Sequence, residues 1–432
     1  MKKSIQVTIA LFICAHLQAQ EKPENWSFHF QLTTAMQGHP AFKAAYSSTN
    51  SLVDTAEHAL SLTSTFYLGR RLWQGAEIYF NPEIAGGKGM SAARGIAGFT
   101  NGETFRIGDP EPALYTARLF LQQQFNLGHS DTVAVEADKN QLRGYSYQKA
   151  LFIRVGKFAL SDYFDDNAVS HDPRVSFMNW SLMSNGAWDY PANTRGYTYS
   201  LMTEIILPRW EFRAATSMVP SFANGPSIDA HYFEAHAETV EAARKYSIRK
   251  QPGMLRVLVF RNSSKAPNYK EATASAVKDV IYGTNYGNIK YGFGISADQQ
   301  LSADLNVFAR ASWNDGKTAT WAFTEIDRSI SAGCSLSGSS WRRGDDKLGF
   351  AVVSNGISDD HAAFVASGGY GFIIGDGALK RRGAETIGEI YYSAALFPHC
   401  WLTADYQLVN NPAYNKDRGP VNVFAGRLHI SF

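Results

Sequence analysis

Among the residues that could do covalent chemistry, His171 and Asp172 are the most suggestive pair, adjacent within SHDPR. An imidazole beside a carboxylate could make a base and its orienting partner, but neighbours in an extended segment point opposite ways. Asp before Pro initiates turns, so the stretch reads as loop structure. The chain has no GxSxG, no HExxH and no glycine-rich phosphate loop after a strand. Its 11 histidines are scattered without metal-ligand spacing. No catalytic residue, metal or cofactor is expected, and with no triad in view a barrel hydrolase is the weakest functional alternative.

The non-covalent chemistry is richer. Arg118, Arg154, Arg256, Arg310 and Arg427 each occupy the polar side of a stretch that alternates every two residues, as do Glu77, Glu389 and Asp405. Tyr79 and Gln122 join them, with Gln407. A wall mixing guanidinium and carboxylate suits sugar hydroxyls, each of which both donates and accepts. Aromatic rings offer an apolar face to the C–H face of a pyranose. The plainer reading is that any water-filled barrel has polar, partly charged inner walls.

The elements that must position these residues are strands, because the apolar period is two. In WSFHFQL, Trp26, Phe28, Phe30 and Leu32 share one face. In LFIRV, Leu151, Ile153 and Val155 oppose Arg154; in LRVLVF, Leu255, Val257 and Val259 oppose Arg256. In the final VNVFAGRLHISF, Phe424, Leu428, Ile430 and Phe432 oppose Arg427, His429 and Ser431. One apolar face, one polar face and no second layer predict lipid outside and water inside, a transmembrane β-barrel. Sixteen strands are expected, near 26–33, 59–68, 76–82, 114–126, 149–158, 196–207, 209–218, 229–241, 254–262, 288–297, 304–313, 329–337, 347–354, 384–397, 400–409 and 421–432.

The connectors alternate between tight, as in LPRW, LSADL and PHCW, and long. Short periplasmic turns and long extracellular loops are the rule for outer-membrane barrels. Two connectors break it: the one near 127–148 is too long for a periplasmic turn, and the one near 219–228 is brief for an extracellular loop. The long segment 159–195 is the expected constriction, with Trp180, Asn185, Trp188, Tyr190 and Arg195 as its candidate pore-facing residues. A loop of that length is functional or disordered, and its aromatic content argues against disorder.

The N-terminus, MKKSIQVTIALFICAHLQAQ, has a positive start, a short apolar run and Ala19 before a cleavage site, which makes residues 1–19 a secretory signal. Ile before Cys14 is a poor lipidation context. Cleavage leaves Cys334 and Cys400, too few and too far apart for a disulfide framework. With 41 basic and 39 acidic residues the net charge is +2, which gives no support for nucleic-acid binding. Aromatics at 13% fit two interfacial girdles.

Several stretches together resemble the OprB-type carbohydrate-selective porins: RLWQGAEIYFNPE, GIAGFTNGE, ARLFLQQQF, SHDPR, FMNWSLMSNGAWDYPANTRGYTY, WNDGKTATWAFTEIDRS, NGISDDHAAFVASGGYGFIIGDG and NNPAYNKDRGPVNVFAGRLHISF. The resemblance spans nearly the whole mature chain. It implies a 16-stranded barrel that passes sugars by diffusion without energy coupling. The chain departs from the family after GDG, where GALKRRGAE brings Lys380, Arg381 and Arg382. These read as a solvated loop meeting lipopolysaccharide phosphates, with a tilt toward acidic sugars as the alternative.

The expectation is therefore one domain over 20–432, an antiparallel outer-membrane barrel and passive channel for mono- and small oligosaccharides. The alternative is a general or weakly anion-selective porin. Expected partners are the sugars, outer-membrane lipid and lipopolysaccharide, and the barrel-assembly machinery through Phe432. A monomer and a homotrimer both fit.

Overall fold

The computed structural model describes residues 23–104 and 111–432, so the signal segment lies outside the described residues. The strands are β1 (Trp26–His39), β2 (Glu57–Trp73), β3 (Ala76–Gly87), β4 (Ala113–Asn126), β5 (Thr132–Val135), β6 (Gly144–Tyr147), β7 (Ala150–Phe158), β8 (Thr198–Ile206) and β9 (Trp210–Met218). They continue as β10 (His236–Ile248), β11 (Gln251–Ser264), β12 (Asn288–Gln300), β13 (Leu305–Asn314), β14 (Arg328–Ser337), β15 (Lys347–Gly356), β16 (Glu385–Phe397), β17 (Cys400–Asn410) and β18 (Val421–Ser431). All but β5 and β6 join one closed antiparallel barrel of 16 strands. β1 pairs with β18, from Gln31 opposite Ser431 to Gly38 opposite Phe424, and closes the ring. Closure leaves no strand edge to be satisfied in lipid.

Alternation sorts the side chains as the pleat demands. Along β11, Leu255, Val257 and Val259 are exposed on the outer surface while Arg256, Leu258 and Phe260 are buried within. Exposed aromatics cluster at both barrel rims: Trp26, Trp73 and Trp210 at the end with tight turns, Tyr199, Tyr291 and Trp313 at the other. Arg70 lies over the Trp26 ring at 4.2 Å, a cation held at the interface. Two aromatic belts around an apolar band mark the membrane thickness. Among the described residues no helix is long and apolar enough to cross a membrane.

One of the two connector expectations changes. The strand expected at 229–241 is β10, starting at His236. Asp229 turns the chain instead: its carboxylate accepts from the His231 N–H at 3.0 Å and from Tyr286 Oη at 3.0 Å. The link before β10 is thus a full extracellular loop, and that exception to the loop rule disappears. The connector near 127–148 stays anomalous. It holds β5 and β6, a two-stranded hairpin of its own. Cys334 and Cys400 are both free thiols.

Candidate functional site

The segment between β7 and β8 leaves the wall at Phe158 and folds into the lumen, returning at Thr198. It carries a 3-10 turn at Leu160–Asp162 and one α-helical turn, α1 (Trp180–Met183), capped by the Asn179 side chain, which accepts from the Ser181 N–H at 3.0 Å. The loop packs against the β10–β18 side of the barrel, and inward-facing charges there are consumed in holding it. Arg310 pairs with Asp165 at 2.9 Å and donates to the Leu182 carbonyl at 2.8 Å. Arg427 donates to the carbonyls of Pro173 at 2.6 Å and Ser176 at 2.7 Å. The Glu389 carboxylate accepts the Met178 and Asn179 N–H groups. Gly294 in β12 leaves room for the loop, since a Cβ there would strike the Asn185 amide.

The lumen that remains open is a cavity of about 660 Å³ against β2, β3, β4, β7 and β8. Paired charges run along its wall. Arg71 meets Glu77 at 3.2 Å, and Tyr79 Oη donates to Glu77 at 2.6 Å. Arg154 donates to Gln122 at 2.6 Å and to Glu204 at 2.8 Å. Arg118 forms a two-pronged pair with Asp162 of the loop, at 2.7 and 2.6 Å. In the densest charge cluster, Arg174 of the loop reaches Glu103 at 2.7 Å and Glu83 at 3.3 Å. Glu83 also accepts from Tyr197 Oη at 3.2 Å and from Thr65 and Tyr115. A register shift at Pro82, which has no N–H to give the ladder, puts Tyr115 on the same face as Arg118.

Two loop groups have displaced acidities. Burial would raise Asp172, but the charges of Lys139 and Arg174 and the Arg174 N–H hold it down at about 2. Burial raises Asp189 above the usual carboxylate range, although it accepts the N–H groups of Trp321, Ala322 and Phe323 at 3.0, 2.9 and 2.8 Å. Asp189 is a staple between two loops, not a pore group.

The structure divides the residues singled out from the sequence. Glu77, Tyr79, Arg118, Gln122 and Arg154 line the cavity, as do Tyr190 and Arg195. Arg256, Arg310, Glu389, Asp405 and Arg427 face inward but lie outside the cavity lining. Arg310, Glu389 and Arg427 bind the infolded loop, Arg256 pairs with Asp298, and Asp405 accepts from Gln407 at 3.1 Å. Trp180, Asn185 and Trp188 are buried, Trp188 against Phe164 of the same loop, Asn185 against Gly294 of the wall and Trp180 edge-on to Phe323 of the β13–β14 connector at 4.8 Å. Sequence reasoning missed Arg174, Glu83, Glu103, Asp162 and Tyr197. Arg174 belongs to SHDPR, read only as a turn, and Glu83 follows the Pro that shifts the register. His171 and Asp172 also line the cavity.

Arg71, Arg118, Lys139, Arg154, Arg174 and Arg195 face Glu77, Glu83, Glu103, Asp138, Asp162, Asp166, Asp172 and Glu204 around the cavity. Six cations against eight carboxylates remove the arginine excess that the strand faces alone suggested. Among the described residues no group of His, Cys, Asp and Glu could hold a metal ion.

A closed 16-strand antiparallel barrel with an infolded third extracellular loop beside a charged cavity has the fold of an outer-membrane porin. Residues 57–432 match the carbohydrate-selective porin, OprB family, and the chain belongs to that family. The solved structures agree on the fold. The high-pH structure of Pseudomonas putida OprB superposes with a TM-score of 0.71 at 15% identity, covering 94% of each chain. Its low-pH structure gives 0.51 at 12% identity, covering 94% of this chain and 93% of that one. The outer membrane channel DcaP of Acinetobacter baumannii gives 0.52 at 10% identity, covering 94% and 98%. No curated protein matches.

Proposed function

We propose that this porin passes monosaccharides and small oligosaccharides by passive diffusion through the opening between Arg174, Glu83, Glu103, Arg118 and Asp162. The observation that carries the reading is the pairing itself. Donors and acceptors alternate around the open part of the lumen, and Tyr67, Tyr79 and Tyr197 present rings and hydroxyls among them. A sugar crossing this ladder exchanges water for protein partners of both kinds at each step, so no step needs an unsatisfied hydroxyl. Six cations and eight carboxylates leave only a small excess of negative charge along the path, which disfavours strong ion selectivity. Conduction needs weak, exchangeable binding at successive sites, and paired charges already neutralised by each other supply that. The family match supports carbohydrate as the solute.

The test is single-channel conductance in a planar bilayer with added neutral sugars. Conductance lowered by some sugars at millimolar levels, and not by size-matched polyols, supports the reading. Indifference to every sugar leaves a general porin.

A further inference from the structure

The periplasmic connector 127–149 does not hang below the barrel. Its hairpin enters the lumen from the periplasmic side, and residues 138–142 line the same cavity as the outer loop. Asn81, midway along β3, donates to the Asn140 side chain at 2.8 Å. Lys139 Nζ donates to Gln31 Oε1 at 3.3 Å. Gln31 also accepts from Tyr67 Oη at 3.0 Å, and Arg174 Nη1 reaches that same Tyr67 oxygen at 3.5 Å. Three contacts thus connect the hairpin tip to Arg174. Gln31, Thr65 and Glu83 are register partners on adjacent strands, so the tip stands at the level of the constriction and not beneath it.

The hairpin is also clamped. Leu142 is buried against the wall beside Gly69. Glu24, ahead of β1, donates its N–H to the Arg143 carbonyl at 3.1 Å and accepts the Arg143 N–H on its carboxylate at 2.7 Å. Gln124 of β4 donates to Ser146 at 2.7 Å. A segment tied to three parts of the wall behaves as masonry, not as a flap.

We propose that the β5–β6 hairpin is a fixed inner constriction that completes the pore opening from the periplasmic side, with Lys139 a specificity-determining residue of the solute path. This rests on the sugar-channel reading above. Near Arg174 and Asp172 of the extracellular loop, the Lys139 ammonium supplies donors from the periplasmic side of the same cavity. A solute is then gripped between two chain segments, one from each side of the membrane, and the size limit is set by both.

Two variants test it, each beside the wild type in bilayers and in sugar-loaded liposome swelling. In the first, residues 128–148 are replaced by a two-residue turn. Conductance should rise roughly twofold or more, and the preference for monosaccharide over disaccharide should fall. In the second, Lys139→Cys is made with Cys334 and Cys400 changed to Ser, and a bulky water-soluble maleimide is added. Labelling should proceed and cut conductance stepwise in an otherwise intact barrel, which decides the matter even if the shortened chain fails to fold. Unchanged conductance and swelling in a folded shortened barrel would overturn the proposal. So would a labelled Lys139→Cys channel that conducts as before, or a thiol at that position that the reagent cannot reach. A wild type that shows no channel sinks the transport reading as well, whereas a conducting wild type with indifferent variants sinks the hairpin alone.

Discussion

The two halves of the lumen are built from the same residue types and do different things with them. On the β2, β3, β4, β7 and β8 side, Arg118, Arg154 and Glu77 meet partners at the edge of open water. On the β10–β18 side, Arg310, Arg427 and Glu389 are spent on the backbone of a loop that has moved in against them. An unpaired N–H or C=O inside a packed lumen costs as much as one inside a protein core. A loop without regular structure brings many such groups, so the wall that receives it must carry charged side chains to satisfy them. The contrast teaches that charge on the inner face of a barrel is not by itself evidence of a solute path. What its partner is decides between scaffold and pore.

The largest expected effect is on the scaffold side. Arg310→Ala leaves the Asp165 carboxylate and the Leu182 carbonyl buried without their guanidinium. Breaking a buried pair in this way costs about 3–5 kcal/mol. Thermal unfolding of the purified barrel should show a clear loss, accompanied by noisy, enlarged conductance as the loop loosens. A quiet channel of unchanged stability would erase the distinction between the halves.

Arg174→Ala is the matching change on the pore side. Glu83 keeps Thr65, Tyr115 and Tyr197 as donors, while Glu103 loses its 2.7 Å partner at the edge of the cavity. Water from the cavity can take the place of the guanidinium beside Glu103, so unfolding should move less than for Arg310→Ala. Sugar block should weaken by about tenfold, the equivalent of about 1.4 kcal/mol of lost charge-assisted hydrogen bonding. Stability loss equal to that of Arg310→Ala would place Arg174 with the scaffold.

The smallest effect is pH-dependent and lies where the halves meet. Asp172, held at about 2 by Lys139 and Arg174 against the upward push of burial, accepts the Arg174 N–H at 2.9 Å. Its value in the folded chain is below that in the unfolded one, so its contribution is complete above the ordinary carboxylate range of about 4 and disappears as pH falls through the folded value. Single-channel conductance should therefore be steady from neutral pH down to about 4 and change only as pH falls toward about 2. Asp172→Asn should remove that acid-side step.

Much of the barrel was legible in the chain because its determinants are local. Lipid on one side and water on the other impose a period of two on every strand, and Val257 beside Arg256 declares the faces without reference to any other residue. The misplacement at β10 has a local cause as well. DAHYFEA alternates like a strand, yet the Asp229 carboxylate finds His231 and Tyr286 and makes a loop of it. The hairpin at β5 and β6 was invisible as structure since each run is only four residues, although its length already marked it as too long for a turn.

The candidate site was legible in part. Glu77, Tyr79, Arg118, Gln122 and Arg154 declared an inner face, and they line the cavity. Arg256, Arg310, Glu389 and Arg427 declared the same face by the same alternation, and they do not. No pattern within LNVFARASW distinguishes Arg310 from Arg154 in LFIRV. The difference is made by Asp165, 145 positions away in the chain, and by the path of the loop that carries it.

The chain's own pattern declares the barrel and, for most strand residues, the side of the wall on which each stands, since hydrogen-bonded pleating between two solvents imposes a period of two. Which of the inward residues meet water was decided only in three dimensions. That depends on where the loop from β7 to β8 and the hairpin from β4 to β7 come to rest. Their positions follow from contacts between segments far apart in the chain, which no local period encodes.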